Sequence, residues 1–399
     1  MATGTSAGIR ERNLRAVLDT LRERRPVSRA DLALRTGLSK PTVSAALRAF
    51  ERRGLVREYG RTTGRRGRSA SLYDLVPESV LVLGIDIGAR HVRAVVGDLD
   101  GRPVEEFSLD LADPRAADVL SVVAEIGTRI RPLADRTELA VVGSPGVVDP
   151  GTGRIGAAPN IADWEGVAAE AVLAEALGLR VRVENDVNLA ALGEQARGAG
   201  TSVDSFAYLN IGSGLGAGIV LDGRLHRGAR GAAGEVGFLP IGDDPIRGSR
   251  LAQGGAMEAR LSRRGLVESA EELAATTTTS VARPFDVEAL FEAARRGDPL
   301  GRAVAGRAAE EIAVCVAALT AVVDLELILL GGGIGASDDL LLPDVRAAAA
   351  LLLPSPPRIE RASLGDRAVG TGAIAIALEE ARQSVIRRLV EADAPVASA

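Results

Sequence analysis

Residues 28–57 read SRADLALRTGLSKPTVSAALRAFERRGLVR. Two short helices joined by a tight turn at Thr36-Gly37-Leu38 fit this run, with a third element starting at Gly54. Gly37 falls where a helix-turn-helix needs a residue that tolerates positive φ. Leu32, Ala33, Leu38, Val43, Leu47 and Phe50 are spaced to build one small apolar core, and Val43, Leu47 and Phe50 form an i, i+4, i+7 stripe. The opposite face carries Lys40, Thr42, Ser44 and Arg48, with Ser39 and Pro41 at the helix start. Short polar donors and cations on one helix face suit contact with base edges and phosphates in a major groove.

The flanking segments extend the pattern to a winged helix. Ile9 to Arg25 is predicted as a first helix, with Ile9, Leu14, Val17, Leu18 and Leu21 on its apolar face and Pro26 ending it. Ser28 followed by Asp31 approximates a capping box for the second helix. Pro41 is tolerated in the first turn of the third, where N–H groups are spare. Leu55 to Tyr59 and Ser71 to Leu75 read as a hairpin. Its loop, GRTTGRRGR over residues 60–68, carries Arg65, Arg66 and Arg68 and suits the negative potential of a minor groove.

Composition separates this head from the rest. The 399 residues are long enough for more than one domain, and 46% apolar with 25% charged residues is a globular balance. Residues 1–78 hold 17 Arg or Lys against 8 Asp or Glu, whereas residues 79–399 hold 31 against 45. A basic head on an acidic body fits a head that docks on phosphate, and we place the domain boundary there, at 1–78 and 79–399. No stretch approaches the ~20 apolar residues of a membrane span, and the N-terminus lacks the apolar core of a signal peptide. A cytoplasmic protein without a membrane partner is expected. Cys315 is the only cysteine and sits in an apolar run, which excludes an internal disulfide and reads as a buried thiol.

The body is expected to be α/β. VLVLGIDIG at 80–88 is a buried strand entering a turn that carries Asp86 and Gly88, and HVRAVV at 91–96 continues it, with a turn over residues 97–101. FAYLNIGSGLGAGIV at 206–220 is a second strand–glycine turn–strand unit, and LLGGGIG at 329–335 is a third glycine cluster. Between the first two lie Ala158-Pro159-Asn160 and a strand ending in Glu184-Asn185-Asp186, followed by a helix through residues 189–196. A carboxylate beside amide donors can bind a sugar hydroxyl or take its proton. Glu235, in GAAGEVGF at 231–238, is a second acid. Residues 286–323 are predicted as one continuous helical stretch, 276–279 as an exposed loop, and a helix from about 365 to 390 is placed to pack back on the first lobe.

The winged helix together with GIDIGARHVRAVVGDLDG, SPGVVDPGTGRI, ENDVN, NIGSGLGAGIVLDGRLHRGARGAAGEVG and LGGGIG resembles the ROK (repressor, open reading frame, kinase) family over nearly the whole chain. The resemblance implies a two-lobed, actin-like, sugar-kinase-like core and dimers or tetramers. In repressor members of that family a sugar or sugar phosphate binds between the lobes and changes affinity for double-stranded operator DNA. On this resemblance Asn160, Asn185, Asp186, Glu235 and Glu258 are the expected effector contacts, and Asp186 occupies the position of the kinases' catalytic base.

The sequence departs from the family pattern in two places. Family members carry a histidine just after the Gly-Glu-x-Gly segment and a cysteine cluster beyond it, which together bind a structural zinc. Here Phe238 takes the histidine position, residues 239–260 contain neither Cys nor His, and the chain has only His91, His226 and Cys315. A closed zinc site needs about four ligands, so no zinc and no other cofactor is expected. Phe238 also replaces a sugar-contacting donor with an apolar wall. In addition, Ala89 and Arg90 follow Gly88 where the kinases have a second glycine and a small hydroxyl residue. The expectation is a non-enzymatic regulator of carbohydrate-related genes. The alternatives are a sugar kinase with a DNA-binding head, and a regulator whose core only dimerises.

Overall fold

The computed structural model describes residues 6–61, 70–158, 160–242, 246 and 255–392. The head begins with α1 (Ser6–Glu23), two residues short of the end expected from the sequence. It continues through β1 (Val27–Ser28), α2 (Arg29–Thr36), α3 (Lys40–Arg52), β2 (Val56–Arg61) and β3 (Ser71–Leu75). Ser28 caps α2: its hydroxyl accepts the Asp31 N–H and donates to the Asp31 carboxylate at 2.7 Å. Gly37 ends α2 at φ 68°, the left-handed turn that a side chain would strain. Ser39 caps α3, and Pro41 sits in its first turn. Leu32, Val43, Leu47 and Phe50 are fully buried, with Ala33 and Leu38 packed at the edge of the same cluster. The strands pair in the order β1-β3-β2, the small sheet of a winged helix. The expected basic loop with Arg65, Arg66 and Arg68 lies outside the described residues.

The core is two α/β lobes. The first contains β4 (Leu81–Ile87), β5 (His91–Asp98), β6 (Pro103–Asp110), α4 (Ala116–Arg129), β7 (Thr137–Ser144), the short pair β8 (Val147–Val148) and β9 (Ile155–Gly156), α5 (Ala169–Leu177) and β10 (Val181–Asn185). Its five-stranded sheet has the order β10-β7-β4-β5-β6. The second follows α6 (Asp186–Arg197) with β11 (Phe206–Ile211), β12 (Leu215–Leu221), β13 (Arg224–Leu225), α7 (Arg263–Leu273), α8 (Val287–Arg295), α9 (Pro299–Val323), β14 (Leu327–Gly331), α10 (Asp338–Leu352), β15 (Arg358–Arg361) and α11 (Ala368–Ala392). Its sheet order is β13-β12-β11-β14-β15. Strands β4 and β5, and β11 and β12, are the two antiparallel hairpins the glycine turns announced.

Four expectations need correction. Ile9, expected on the apolar face of α1, is exposed, because it lies a turn before the stretch that the rest of the cluster covers. The stretch 286–323 is two helices, because Asp298 accepts the Gly301 N–H at 3.0 Å and starts a new helix. Strand β5 runs on to Asp98, where the turn was expected from Gly97. Asp186 is the first residue of α6 and not the last of a strand; Asn185 is the cap, accepting the Asn188 N–H at 3.0 Å.

Helix α11 joins the parts. It packs on β4 and β7 of the first lobe and along α6. Gly193 and Gly372 make that approach close: a Cβ on Gly372 would overlap the Leu189 carbonyl, and one on Gly193 the Ala368 carbonyl. Further along, α11 meets α1. Leu14, Val17, Leu18 and Leu21 of α1 share one buried cluster with Ile374, Leu378, Ile386 and Leu389 of α11. Around its rim Arg25 pairs with Asp100, in the turn after β5, and lies 3.9 Å from Asp74 of β3. The head is therefore docked on the first lobe through a hydrophobic seam with an ionic edge.

Candidate ligand cleft and nucleic-acid face

On the head, Ser39, Lys40, Pro41 and Arg48 are exposed, and Thr42 and Ser44 are half-buried beside them. Ser39 serves the helix itself: its hydroxyl accepts the Thr42 N–H and lies 2.8 Å from the Thr42 hydroxyl. Leu32, Leu47 and Phe50 hold α3 from behind, so this outward face is presented by a rigid element.

The two lobes meet at a cleft of about 130 Å³. It gathers all five expected effector contacts from four separate segments: Asn160, Asn185 and Asp186, Glu235, and Glu258. Gly88 and Ala89 from the first glycine turn and Ser213 to Gly216 from the second complete the walls. Asn185 is partly committed, since its amide donates to the Gly146 carbonyl at 3.1 Å while its oxygen caps α6. Glu258 accepts the Leu215 N–H at 2.9 Å, which holds its carboxylate against the glycine-rich hairpin. Beneath the cleft, fully buried Trp164 donates its indole N–H to Ser144 at 2.8 Å and fixes the end of β7.

Four carboxylates crowd this region. Burial pushes Asp186 up to about 7, reinforced by the neighbouring charges of Asp86 and Glu235; the Val187 N–H opposes the shift. Burial also raises Asp86 to about 6, against the pull of Arg93, whose guanidinium lies 3.6 Å away. Glu235 is raised by burial and by Glu258, and Glu258 by burial. A partly protonated cluster of this kind can both accept and donate hydrogen bonds near neutral pH, which suits a polyhydroxyl ligand.

Phe238 lines the same cleft and is 51% exposed. It puts an aromatic ring where a donor was available in the family pattern, and it offers no metal ligand. Among the described residues no group of three or more His, Cys, Asp or Glu is arranged to hold a metal. Cys315 is buried in α9, with its thiol pushed up to about 12 by its apolar surroundings.

Arg90 is exposed and does not line the cleft. The cation that matters is Arg93, two residues into β5, which bridges Asp86 and Asp366 and so ties the first hairpin to the start of α11. Strand alternation from His91 signals that residues 91, 93 and 95 share a face, but not which helix covers it. The sequence also gave no sign of the buried Glu184. Its carboxylate accepts from Asn188 at 3.0 Å and from Arg227 at 2.6 Å, locking the segment before Asp186 to the second lobe.

The family model described as ROK matches residues 82–380, and the one described as the IclR helix-turn-helix domain matches residues 13–59. The xylose repressor of Caldicellulosiruptor bescii is 26% identical, covering 94% of this chain and 98% of its own. A crystal structure of a ROK family transcriptional regulator, a homologue of the E. coli MLC protein, superposes with a TM-score of 0.78 at 25% identity, covering 96% of this chain and 99% of that one. A ROK family glucokinase from Streptomyces griseus, solved with glucose and AMPPNP, gives 0.63 at 28% identity over 75% of this chain and 99% of that one. Among the described residues no helix is long and apolar enough to cross a membrane.

The raised carboxylates give a signed prediction. A carboxyl whose folded value exceeds its unfolded one costs no stability at low pH. It becomes a penalty as pH rises towards the folded value. For Asp186 that window runs from about 4 to about 7. Asp186→Asn should therefore gain stability relative to wild type between pH 4 and pH 8. Asp186 keeps some solvent access at the cleft, so the gain should be roughly 1–2 kcal/mol, less than the full shift would give. Urea unfolding at both pH values measures it, and an offset independent of pH would contradict the assignment.

Proposed function

The chain belongs to the ROK family, and we propose that within it this protein is a DNA-binding transcriptional repressor of sugar-related genes whose core has kept the sugar-kinase fold as a sensor. The observation that carries the reading is that an outward-facing α3, with Lys40 and Arg48 exposed, is seated on a complete two-lobed core. A kinase needs no such head, and relatives with this full architecture include the xylose repressor and the ROK transcriptional regulator.

In the proposed complex α3 lies in the major groove. Ser39, Lys40, Pro41, Thr42, Ser44 and Arg48 face base edges and phosphates, and Arg65, Arg66 and Arg68, which lie outside the described residues, are assigned from the sequence to the adjacent minor groove. A homodimer presents two copies of α3 to half-sites one helical turn apart or a multiple of it. The effector, a sugar or sugar phosphate, sits between the lobes on Asn160, Asn185, Asp186, Glu235 and Glu258. The cleft connects to the head through packed helices: Asp186 opens α6, α6 packs on α11 at Gly193 and Gly372, and α11 packs on α1. A ligand that moves one lobe against the other shifts α6 and α11 together and thereby the head.

We further propose that the protein holds no structural zinc, since Phe238 stands at the histidine position and the chain has a single cysteine. Phosphoryl transfer has one feature in its favour: a carboxyl poised near 7 is well matched to act as a general base. Against it stand Ala89 in the phosphate turn and the aromatic wall at Phe238.

Arg48→Ala should weaken binding to duplexes that the wild-type protein selects from a random pool by about 5- to 100-fold, roughly 1–3 kcal/mol, without lowering the melting temperature. Unchanged affinity at physiological salt would contradict the docking. A coupled assay with ATP and a panel of hexoses is expected to show no turnover. Turnover abolished by Asp186→Asn would replace the sensor reading with the kinase one.

A further inference from the structure

A second and larger hollow lies away from the lobe cleft. It is a groove of about 750 Å³ between α11 and the uncovered face of β5 and β6. One end is at Asp86, Arg93 and Asp366, beside the cleft; the other reaches Arg22, in the last turn of the head's α1. Its volume is in the range of small-molecule sites, roughly 300–1,000 Å³, which the 130 Å³ cleft is not.

The head-side end is a built cationic pocket. Arg22 and Arg382 face it from α1 and α11, and Arg197 reaches in from the end of α6 to donate to the Asp100 carbonyl at 2.7 Å. The Nε atoms of both Arg22 and Arg382 are buried without a hydrogen-bond partner. Each such donor carries a desolvation cost that an acceptor would remove. Burial lowers Arg382 to about 10, reinforced by repulsion from the Arg22 guanidinium.

Nearby carboxylates do not neutralise the pair. Asp100 is engaged by Arg25, with Arg102 at 3.9 Å, and Glu379 stands 3.9 Å from Arg382. Two further acids lie nearby: Asp19, on the exposed side of α1, and Glu106, on β6 in the groove wall. Val95, Ile374 and Leu378 form an apolar wall beside the arginines.

We propose that this groove is a second ligand site, taking a small organic phosphate whose phosphoryl oxygens bridge Arg22 and Arg382 and whose body lies on the Val95, Ile374 and Leu378 wall. A phosphate monoester is the fitting head group because its three terminal oxygens can accept from two guanidinium groups at once, whereas a carboxylate is filled by one bidentate arginine. Since Arg22 belongs to the head and Arg382 to the core, the bound anion clamps α1 onto α11. The site is independent of whether the lobe cleft takes a sugar.

Calorimetric titration of the full-length protein with phenyl phosphate tests this. Saturable sub-millimolar binding is expected, with none for phenol. Arg22→Gln and Arg382→Gln should each weaken it at least tenfold, while Arg296→Gln, a surface residue paired with Glu292 on α8, stays within twofold of wild type. Absence of binding to the wild type up to 10 mM, or wild-type affinity in either Arg22→Gln or Arg382→Gln, overturns the site. Displacement of phenyl phosphate by a short duplex would instead assign these arginines to the DNA backbone, and that result also overturns it.

Discussion

The packing of α1 against α11 is the contact on which the rest of this molecule depends. A winged helix of this size could close its own core, yet here Leu14, Val17, Leu18 and Leu21 share a buried cluster with the last helix of the chain. Each buried leucine or isoleucine contributes roughly 1.5–3 kcal/mol, so parting the head from the core would expose several of these at once. The orientation of α3 is consequently set by where α11 lies. Helix α11 in turn starts at the lobe junction, held there by the Arg93 bridge between Asp86 and Asp366, and lies against the helix that Asp186 opens.

That arrangement gives physical meaning to the crowded carboxylates. Asp86, Asp186, Glu235 and Glu258 raise one another or are raised by burial, so the cleft carries a standing electrostatic penalty near neutral pH. A ligand donating hydroxyl hydrogens would relieve it, and the cleft residue Asp186 opens a helix that packs on α11, which in turn meets the head. Phe238 narrows the range of such ligands, because part of the wall cannot hydrogen-bond.

Features decided by a few neighbouring residues were legible in the sequence. The Ser28 cap, the Gly37 turn, the buried stripe of Val43, Leu47 and Phe50, and both glycine-turn hairpins all follow from local chemistry. The break at Asp298 was hidden because apolar spacing continues on both sides of it, and only the cap bond to Gly301 separates α8 from α9. The five expected contacts in the cleft come from positions as far apart as 160 and 258. No local spacing brings them together, and only the family resemblance did so. The seam was not legible at all. The apolar face of α1 is satisfied equally well by α2 and α3, and nothing near residue 18 announces a partner near residue 378. Arg93 was hidden for a related reason: Arg90 is the cation nearest the glycine turn in sequence, while the ion pairs to Asp86 and Asp366 form three residues further on, at Arg93.

The central claim is that head and core are one cooperative body joined at this seam. Native-state amide hydrogen exchange on α1 and α11 tests it most directly. The account predicts that the protected amides around Leu18 and Leu378 exchange with the same free energy, close to that of global unfolding, and respond together to added denaturant. Exchange of α1 at a free energy several kcal/mol below that of α11, with α11 unaffected, would show the head to be a separately opening unit and would contradict it.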